Sequence, residues 1–191
     1  MEKNFSVDWF SGNIANITGY LSDLKDKENI HILEIGSFEG RSSCFFYEEF
    51  IMNSPKSTLT CVDTWEGSME HSKEIKETIW NTFNHNISEY DTDKLIVKRG
   101  YSCDIVRSLA KNYYDFIYVD GSHTSKDVLE DAVLSFYALK SGGIMTFDDY
   151  DWYAYQDPLL NPRPGIDSFL LCYHHYINLL ERGHQVAVRK K

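Results

Sequence analysis

Four residues able to carry charge or a proton stand just past two apolar runs. The run 116–119 ends at Asp120, with His123 three residues on, and the run 144–147 ends at Asp148 and Asp149. Carboxylates crowded together repel unless a cation lies among them. Their hard oxygens suit Mg²⁺, Ca²⁺ or Mn²⁺ rather than zinc. A neutral imidazole beside such a group is a candidate proton acceptor. Asp151 is a further acid near the same place. The tyrosine- and tryptophan-rich stretch 150–155 is either loop packing or a stacking wall for an acceptor.

These residues need a scaffold that brings strand ends together. A helical stretch at about 125–140 separates the two runs. Thr124-x-x-Asp127 can cap it reciprocally, and Gly142-Gly143 is expected to end it. Its expected buried face is Val128, Leu129, Ala132, Val133, Phe136 and Leu139. Strand, helix and strand in that order make a parallel unit, and an open parallel sheet binds ligands just outside the carboxyl ends of its strands. Upstream, a strand at 31–35 runs into Gly36-Ser-Phe-Glu-Gly40 and a helix to about 51. Gly36 permits a tight turn, and Gly40 a close backbone approach at the helix N-terminus. A strand at 57–62 ends at Asp63, 27 residues after Gly36. An acid there can accept hydrogen bonds from both ribose hydroxyls of a nucleoside. A strand at 94–98 leads to Arg99-Gly100-Tyr101-Ser102 and a helix at 103–112. Residues 68–90 suggest one or two surface helices. A last helix at 166–174 precedes an expected antiparallel hairpin, 176–180 with 185–189. Phe10, Ile14, Ile17, Leu21 and Leu24 recur at steps of three and four within 7–25. That stripe is either a helix covering a sheet edge or a lid that brings Trp9 and Phe10 over a ligand.

The 191 residues fit one domain, 1–191, with a helical cover at 1–28 and a core at 31–190. A formal charge of −10 argues against a partner read through its phosphate backbone and against anionic membranes. Cys44, Cys61, Cys103 and Cys172 form no C-x-x-C and read as reduced, mostly buried thiols, which suits a cytoplasmic protein. There is no apolar run of 18 residues. His71, His85, His174, His175 and His184 show no ligand spacing and read as surface or packing residues.

The set Glu34-x-Gly36-x-x-x-Gly40, Asp63, Gly100-Tyr-Ser102, Asp120-Gly-Ser-His123, Gly142-Gly143 and Asp148-Asp149, followed by a C-terminal hairpin, resembles class I S-adenosylmethionine-dependent methyltransferases. More narrowly, it is similar to the metal-dependent O-methyltransferases of small molecules, including those of macrolide sugars. The resemblance spans roughly residues 31–190. It implies a doubly wound α/β fold whose seven-stranded, mostly parallel sheet has an antiparallel last strand. It implies that Gly36, Ser37 and Gly40 border the methionine part of the cofactor and that Asp63 binds the ribose. Trp65, Tyr101 and Ser102 would lie near the adenine, with Glu34 behind the glycine turn. Asp120, Asp148 and Asp149 would hold Mg²⁺, and His123 would be the general base. Many methyltransferases have a third glycine where this chain has Phe38. The macrolide-sugar enzymes carry an N-terminal domain that has no counterpart here. The expected acceptor is a sugar or phenolic hydroxyl, with no nucleic acid or membrane partner, and a homodimer through the N-terminal helix is one expectation. A nicotinamide-dependent oxidoreductase would share the α/β pattern and Asp63, but the G-x-G-x-x-G spacing is absent. A non-catalytic S-adenosylmethionine-binding protein would leave the acid cluster incidental.

Overall fold

The computed structural model describes residues 2–25, 27–68 and 71–191. Residues 1, 26, 69 and 70, which fall in the expected N-terminal cover, the turn after it and the segment 68–90, lie outside the described residues. Seven strands form one sheet: β1 (His31–Ile35), β2 (Thr58–Asp63), β3 (Leu95–Arg99), β4 (Tyr114–Val119), β5 (Leu139–Phe147), β6 (Ile177–Arg182) and β7 (Val186–Lys190). Their order is β3-β2-β1-β4-β5-β7-β6. The first five pair in parallel, and β7 runs antiparallel to both β5 and β6. All five residues of β1 are buried, as expected of a strand covered on both faces. The chain winds outward from β1 through β2 to β3, then crosses back to β4. The sheet's switch point therefore lies between the ends of β1 and β4. There the Asp120 N–H donates to the Ile35 carbonyl at 2.8 Å.

Helices cover both faces. They are α1 (Ile14–Tyr20), α2 (Arg41–Phe46), α3 (Lys73–Ile87), α4 (Ser102–Ile105), α5 (Ser125–Ala138) and α6 (Pro162–Tyr173). One apolar cluster joins Phe10, Ile17, Leu21 and Leu24 to Phe46, Ile79 and Phe83 against one face of the sheet. The other joins Val128, Ala132 and Phe136 of α5 and Phe169 of α6 to Ile117, Met145 and Val188. α5 and α6 approach closely because Gly165 has no side chain: a Cβ there would lie 2.1 Å from the Ser125 carbonyl oxygen.

Several boundaries differ from the sequence reading. The helix begun by Arg41 widens into a π turn at Tyr47–Ile51. The helix expected at 103–112 is one α turn followed by a 3₁₀ turn, Val106–Ser108. The last helix starts earlier, at Pro162, because proline suits a first helical turn whose N–H groups are unbonded. Gly142-Gly143 does not end α5. The helix stops at Ala138 and passes straight into β5, whose pairing with β4 shifts register between Tyr114 and Phe116. The Thr124 hydroxyl caps α5 by accepting from the Asp127 N–H at 3.2 Å. The return half of the cap differs: Asp127 takes the hydroxyls of Thr124 and Ser122, each at 2.8 Å, and the Thr124 N–H goes to the Ser122 hydroxyl. Cys44 and Cys61 are buried, whereas Cys172 is exposed.

Candidate functional site

A cavity of about 620 Å³ opens over the carboxyl ends of the strands. Gly36 sets its floor. It takes φ +85°, and a Cβ on it would lie 1.9 Å from the Asp120 carbonyl oxygen, so only glycine lets the turns after β1 and β4 touch. The turn then bends through Phe38 at φ +48°, a conformation that glycine adopts without cost. Phe38 thus fills a glycine position with a left-handed backbone. Its ring stacks on His71, 4.7 Å between centroids, and lies 5.4 Å from Trp9. Asp63 braces this turn. One carboxylate oxygen accepts the N–H groups of Ser37 and Phe38 at 2.8 and 2.9 Å, and the other accepts the Trp65 N–H at 2.7 Å. Behind the turn, Glu34 is fully buried and accepts the hydroxyls of Ser37, at 2.7 Å, and Ser43. Burial raises its pKa, against hydrogen bonds from Ser42, Ser43 and Ser37 that lower it. It ties the end of β1 to the first turn of α2.

Asp120 and His123, which line the same cavity, belong to an acid cluster that Asp149 completes. Ligand atoms of Asp120, His123 and Asp149 all come within 4.8 Å of one another. His123 Nε2 sits 3.0 Å from Asp149 Oδ2, and its ring centroid is 4.6 Å from that of Trp152. Burial, reinforced by the charges of Asp148 and Asp149, pushes the Asp120 carboxyl well above the usual carboxylate range. Burial acts on Asp149 in the same direction, but the hydrogen bond and charge of His123 outweigh it and hold Asp149 below its ordinary value. Asp148 is turned elsewhere. It accepts the Asn13 side-chain amide at 2.8 Å and that of Gln185. Burial and then the Asp149 charge raise its pKa to about 6. Among the described residues, the group whose geometry could hold a cation is Asp120, His123 and Asp149; Asp148, expected as a third carboxylate, is not part of it. Asp148 instead links the N-terminal turn and the C-terminal hairpin to that group. Asp151 pairs with Arg163.

Of the expected residues, Gly36, Ser37, Asp63, Tyr101, Ser102, Asp120 and His123 line the one cavity. Glu34, Gly40, Trp65, Asp148 and Asp149 are not among its lining residues. Gly40 begins α2 at φ +86° and faces Phe83. Trp65 is 2% exposed, packs on Trp80 and Phe83, and donates its indole N–H to the Phe38 carbonyl at 2.9 Å. It is a core residue that supports the glycine turn from below. Trp9 and Phe10 do reach the cavity, as in the lid alternative for 7–25. Within 150–155, Trp152 lies against His123 and Tyr155, and Tyr155 lines the cavity, whereas Tyr150 is buried and Tyr153 is exposed. Lining residues outside the expected site include His71 and Asp131. His71, expected as a surface or packing residue, packs its ring against Phe38 and Trp9, 33 and 62 residues away. Asp131 falls between apolar positions of α5 and is nonetheless 2% exposed. A buried acid inside an apolar helical stripe was the available signal.

A family model for a methyltransferase domain matches residues 33–150. An uncharacterized protein of Acanthamoeba polyphaga mimivirus is 25% identical over 141 residues, covering 73% of this chain and 60% of its own length. Among solved structures, an O-methyltransferase from Bacillus cereus in complex with SAH aligns at a TM-score of 0.67 with 16% identity, covering 97% of this chain and 84% of its own. TomG, an O-methyltransferase from Streptomyces achromogenes solved with SAM, aligns at 0.66 with 16% identity, covering 97% and 82%. The MycE methyltransferase of the mycinamycin biosynthetic pathway, solved with Mg, SAH and mycinamycin VI, aligns at 0.64 with 15% identity, covering 96% of this chain and 50% of its own. The chain thus spans three-fifths of the viral relative's length and half of MycE's. At these identities the solved structures establish the fold.

Proposed function

The chain belongs to the methyltransferase domain family, and from that premise we propose that it moves a methyl group from S-adenosylmethionine to a hydroxyl of a small molecule, assisted by a divalent cation. One observation carries the reading: a single cavity joins the Gly36 turn and Asp63 to Asp120 and His123. A methyl donor held over the first pair would present its reactive end to the second. S-adenosylmethionine supplies an activated methyl on a positive sulfur, and a divalent cation supplies the Lewis acidity that lowers the pKa of a hydroxyl.

The protein's own residues do the rest. Ser37 and Gly36 offer a backbone surface that a ligand can approach closely. Asp63 lines the cavity, where ribose hydroxyls can add to the N–H bonds it already accepts. Asp120 and Asp149 are the carboxylates that would hold the cation. The donor set fits one: burial among like charges pushes the Asp120 carboxyl well above the usual carboxylate range, a cost that a cation offsets. His123 Nε2 lies 3.0 Å from Asp149 Oδ2, a contact that orients the ring. His123 then takes the proton of the acceptor hydroxyl, a role worth about 10²–10⁴-fold. Holding sulfur and oxygen in line would contribute much of the remaining acceleration. Trp152 and Tyr155 are the expected wall for the acceptor. A sugar or phenol suits such a wall, and the protein's charge of −10 disfavours nucleic acid. Residues 1–191 are proposed to act as one catalytic domain.

The test is transfer of isotopically labelled methyl from S-adenosylmethionine to a panel of sugars, macrolide glycosides and catechols, with Mg²⁺ or with EDTA. Transfer that stops in EDTA and returns with Mg²⁺ is expected. Undiminished transfer in EDTA would remove the cation. Methylation confined to nitrogen or carbon acceptors would remove the hydroxyl.

A further inference from the structure

Residues 3–9 form neither helix nor strand, yet Val7 and Trp9 line the cavity. Lys3, Phe5 and Val7 are half-buried while Asn4, Ser6 and Asp8 are exposed, the alternation of an extended chain laid on a surface. This stretch is held to α3, to the glycine turn and to the first residue of α2. Asn4 and Asn86 bond reciprocally: the Asn4 N–H donates to the Asn86 side-chain oxygen and the Asn86 amide to the Asn4 carbonyl, each at 2.7 Å. The Ser6 N–H donates to Glu39 Oε2 at 2.6 Å. Two guanidinium nitrogens of Arg41 each lie 2.8 Å from an Asp8 oxygen, and the Phe5 ring lies 4.7 Å from the same guanidinium. Trp9 stacks on His71, 5.8 Å between centroids, beside Phe38. The segment thus grips the turn that the donor is proposed to touch.

We infer that residues 3–9 are a strap, latched by Trp9 against Phe38 and His71, that closes over the bound donor and lifts to let it in and its product out. This rests on the reading that S-adenosylmethionine occupies the cavity. Phe38 supplies the latch ring from a left-handed backbone position that glycine would fill without strain. None of Phe5, Val7 and Trp9 is buried, so the strap is held by hydrogen bonds and one exposed ion pair, each weak alone. The next residue differs in kind. Phe10 is 6% exposed among Phe45, Phe46 and Tyr118, and Asn13 beyond it bonds Asp148 at 2.8 Å. The hinge therefore falls between Trp9 and Phe10. Strap up and strap down differ by a few weak contacts, and a ligand in the cavity touches Val7 and Trp9 only when the strap is down. That differential contact shifts the population toward the closed arrangement.

The experiment has two readouts on the full chain, with S-adenosylhomocysteine as the probe. Hydrogen exchange is followed with and without saturating probe, and probe dissociation is timed by stopped flow in wild type, Trp9→Ala and Asp8→Asn. The Asn4 and Ser6 amides, bonded only while the strap is down, are expected to gain about tenfold or more in protection on saturation, where a fixed wall would gain nothing. Dissociation should quicken by about threefold to tenfold in Trp9→Ala, the scale of one aromatic pair. It should quicken by about threefold in Asp8→Asn, the scale of an exposed ion pair. Asp8 is not among the cavity's lining residues, so its effect reads the strap and not a lost contact with the probe. Asparagine keeps an oxygen for the Ser11 N–H, which donates to Asp8 Oδ1 at 2.9 Å, and Trp9 is 60% exposed, so both variants should fold. Protection of Asn4 and Ser6 that the probe leaves unchanged, or dissociation from either variant at the wild-type rate, overturns the inference and leaves methyl transfer intact. Failure of the wild type to bind the probe overturns both.

Discussion

At the scale of single residues, the site divides into groups that must titrate and groups that must not. His123→Asn should lower turnover by about 10²–10⁴-fold. If His123 is the base, Mg²⁺ affinity measured by calorimetry should change little; if it is a ligand, that affinity should fall together with turnover. Asp131 gives a stability prediction of definite sign. Burial, only partly opposed by the neighbouring Ser102 hydroxyl, raises its pKa from 3.8 to about 7. Below about pH 4 the carboxyl is protonated in both folded and unfolded chains and has no effect. As pH rises from 4 to 7 the unfolded chain ionises first, so folding loses stability, up to about 4 kcal/mol by pH 8. Asp131→Asn should therefore be more stable than wild type at pH 8 in urea titrations, with the difference vanishing toward pH 4. A difference that grows on acidification would contradict the burial argument. The acids after β4 and β5 were legible in the sequence because apolar runs mark where strands stop. Which of Asp148 and Asp149 faces the cluster was not. That depends on the pleat at the strand end and on Asn13 and Gln185, which reach Asp148 from 135 and 37 residues away.

At the scale of elements, close backbone approaches fix where the residues stand. Gly36→Ala puts a Cβ 1.9 Å from the Asp120 carbonyl oxygen at a backbone angle that L residues avoid. It should destabilise the fold by about 1–3 kcal/mol from overpacking alone, read as a lower urea midpoint, and should weaken ligand binding as the turns after β1 and β4 part. Trp65 carries the opposite expectation from the one its sequence position suggested. Trp65→Ala should cost about 3–5 kcal/mol of stability, as for other buried aromatics, and any loss of ligand affinity should follow the loss of fold. A variant of wild-type stability with a large affinity defect would return Trp65 to the cavity wall. The order of strands and helices was readable from periodicity and glycine turns. Two element ends were not. One helical turn sufficed at α4, where Leu109 is already extended, and Gly142, at φ +80°, lies within β5 rather than at the end of α5. Local propensity cannot foresee either, because pairing of β5 with β4 decides where the helix must stop.

At the scale of the whole molecule, the sheet's switch point sets the glycine turn beside the acid cluster, and helices on both faces cover the central strands. No helix among the described residues is long and apolar enough to cross a membrane. The central claim is that one cavity seats a methyl donor against Asp63 and aims it at Asp120 and His123. Calorimetric titration of wild-type protein and Asp63→Ala with S-adenosylmethionine, and separately with NAD, tests it most directly. Stoichiometric binding of S-adenosylmethionine, weakened about tenfold or more in a folded Asp63→Ala variant, with no binding of NAD, is the predicted result. Binding of NAD in preference to S-adenosylmethionine, or S-adenosylmethionine affinity that Asp63→Ala leaves unchanged, would contradict it.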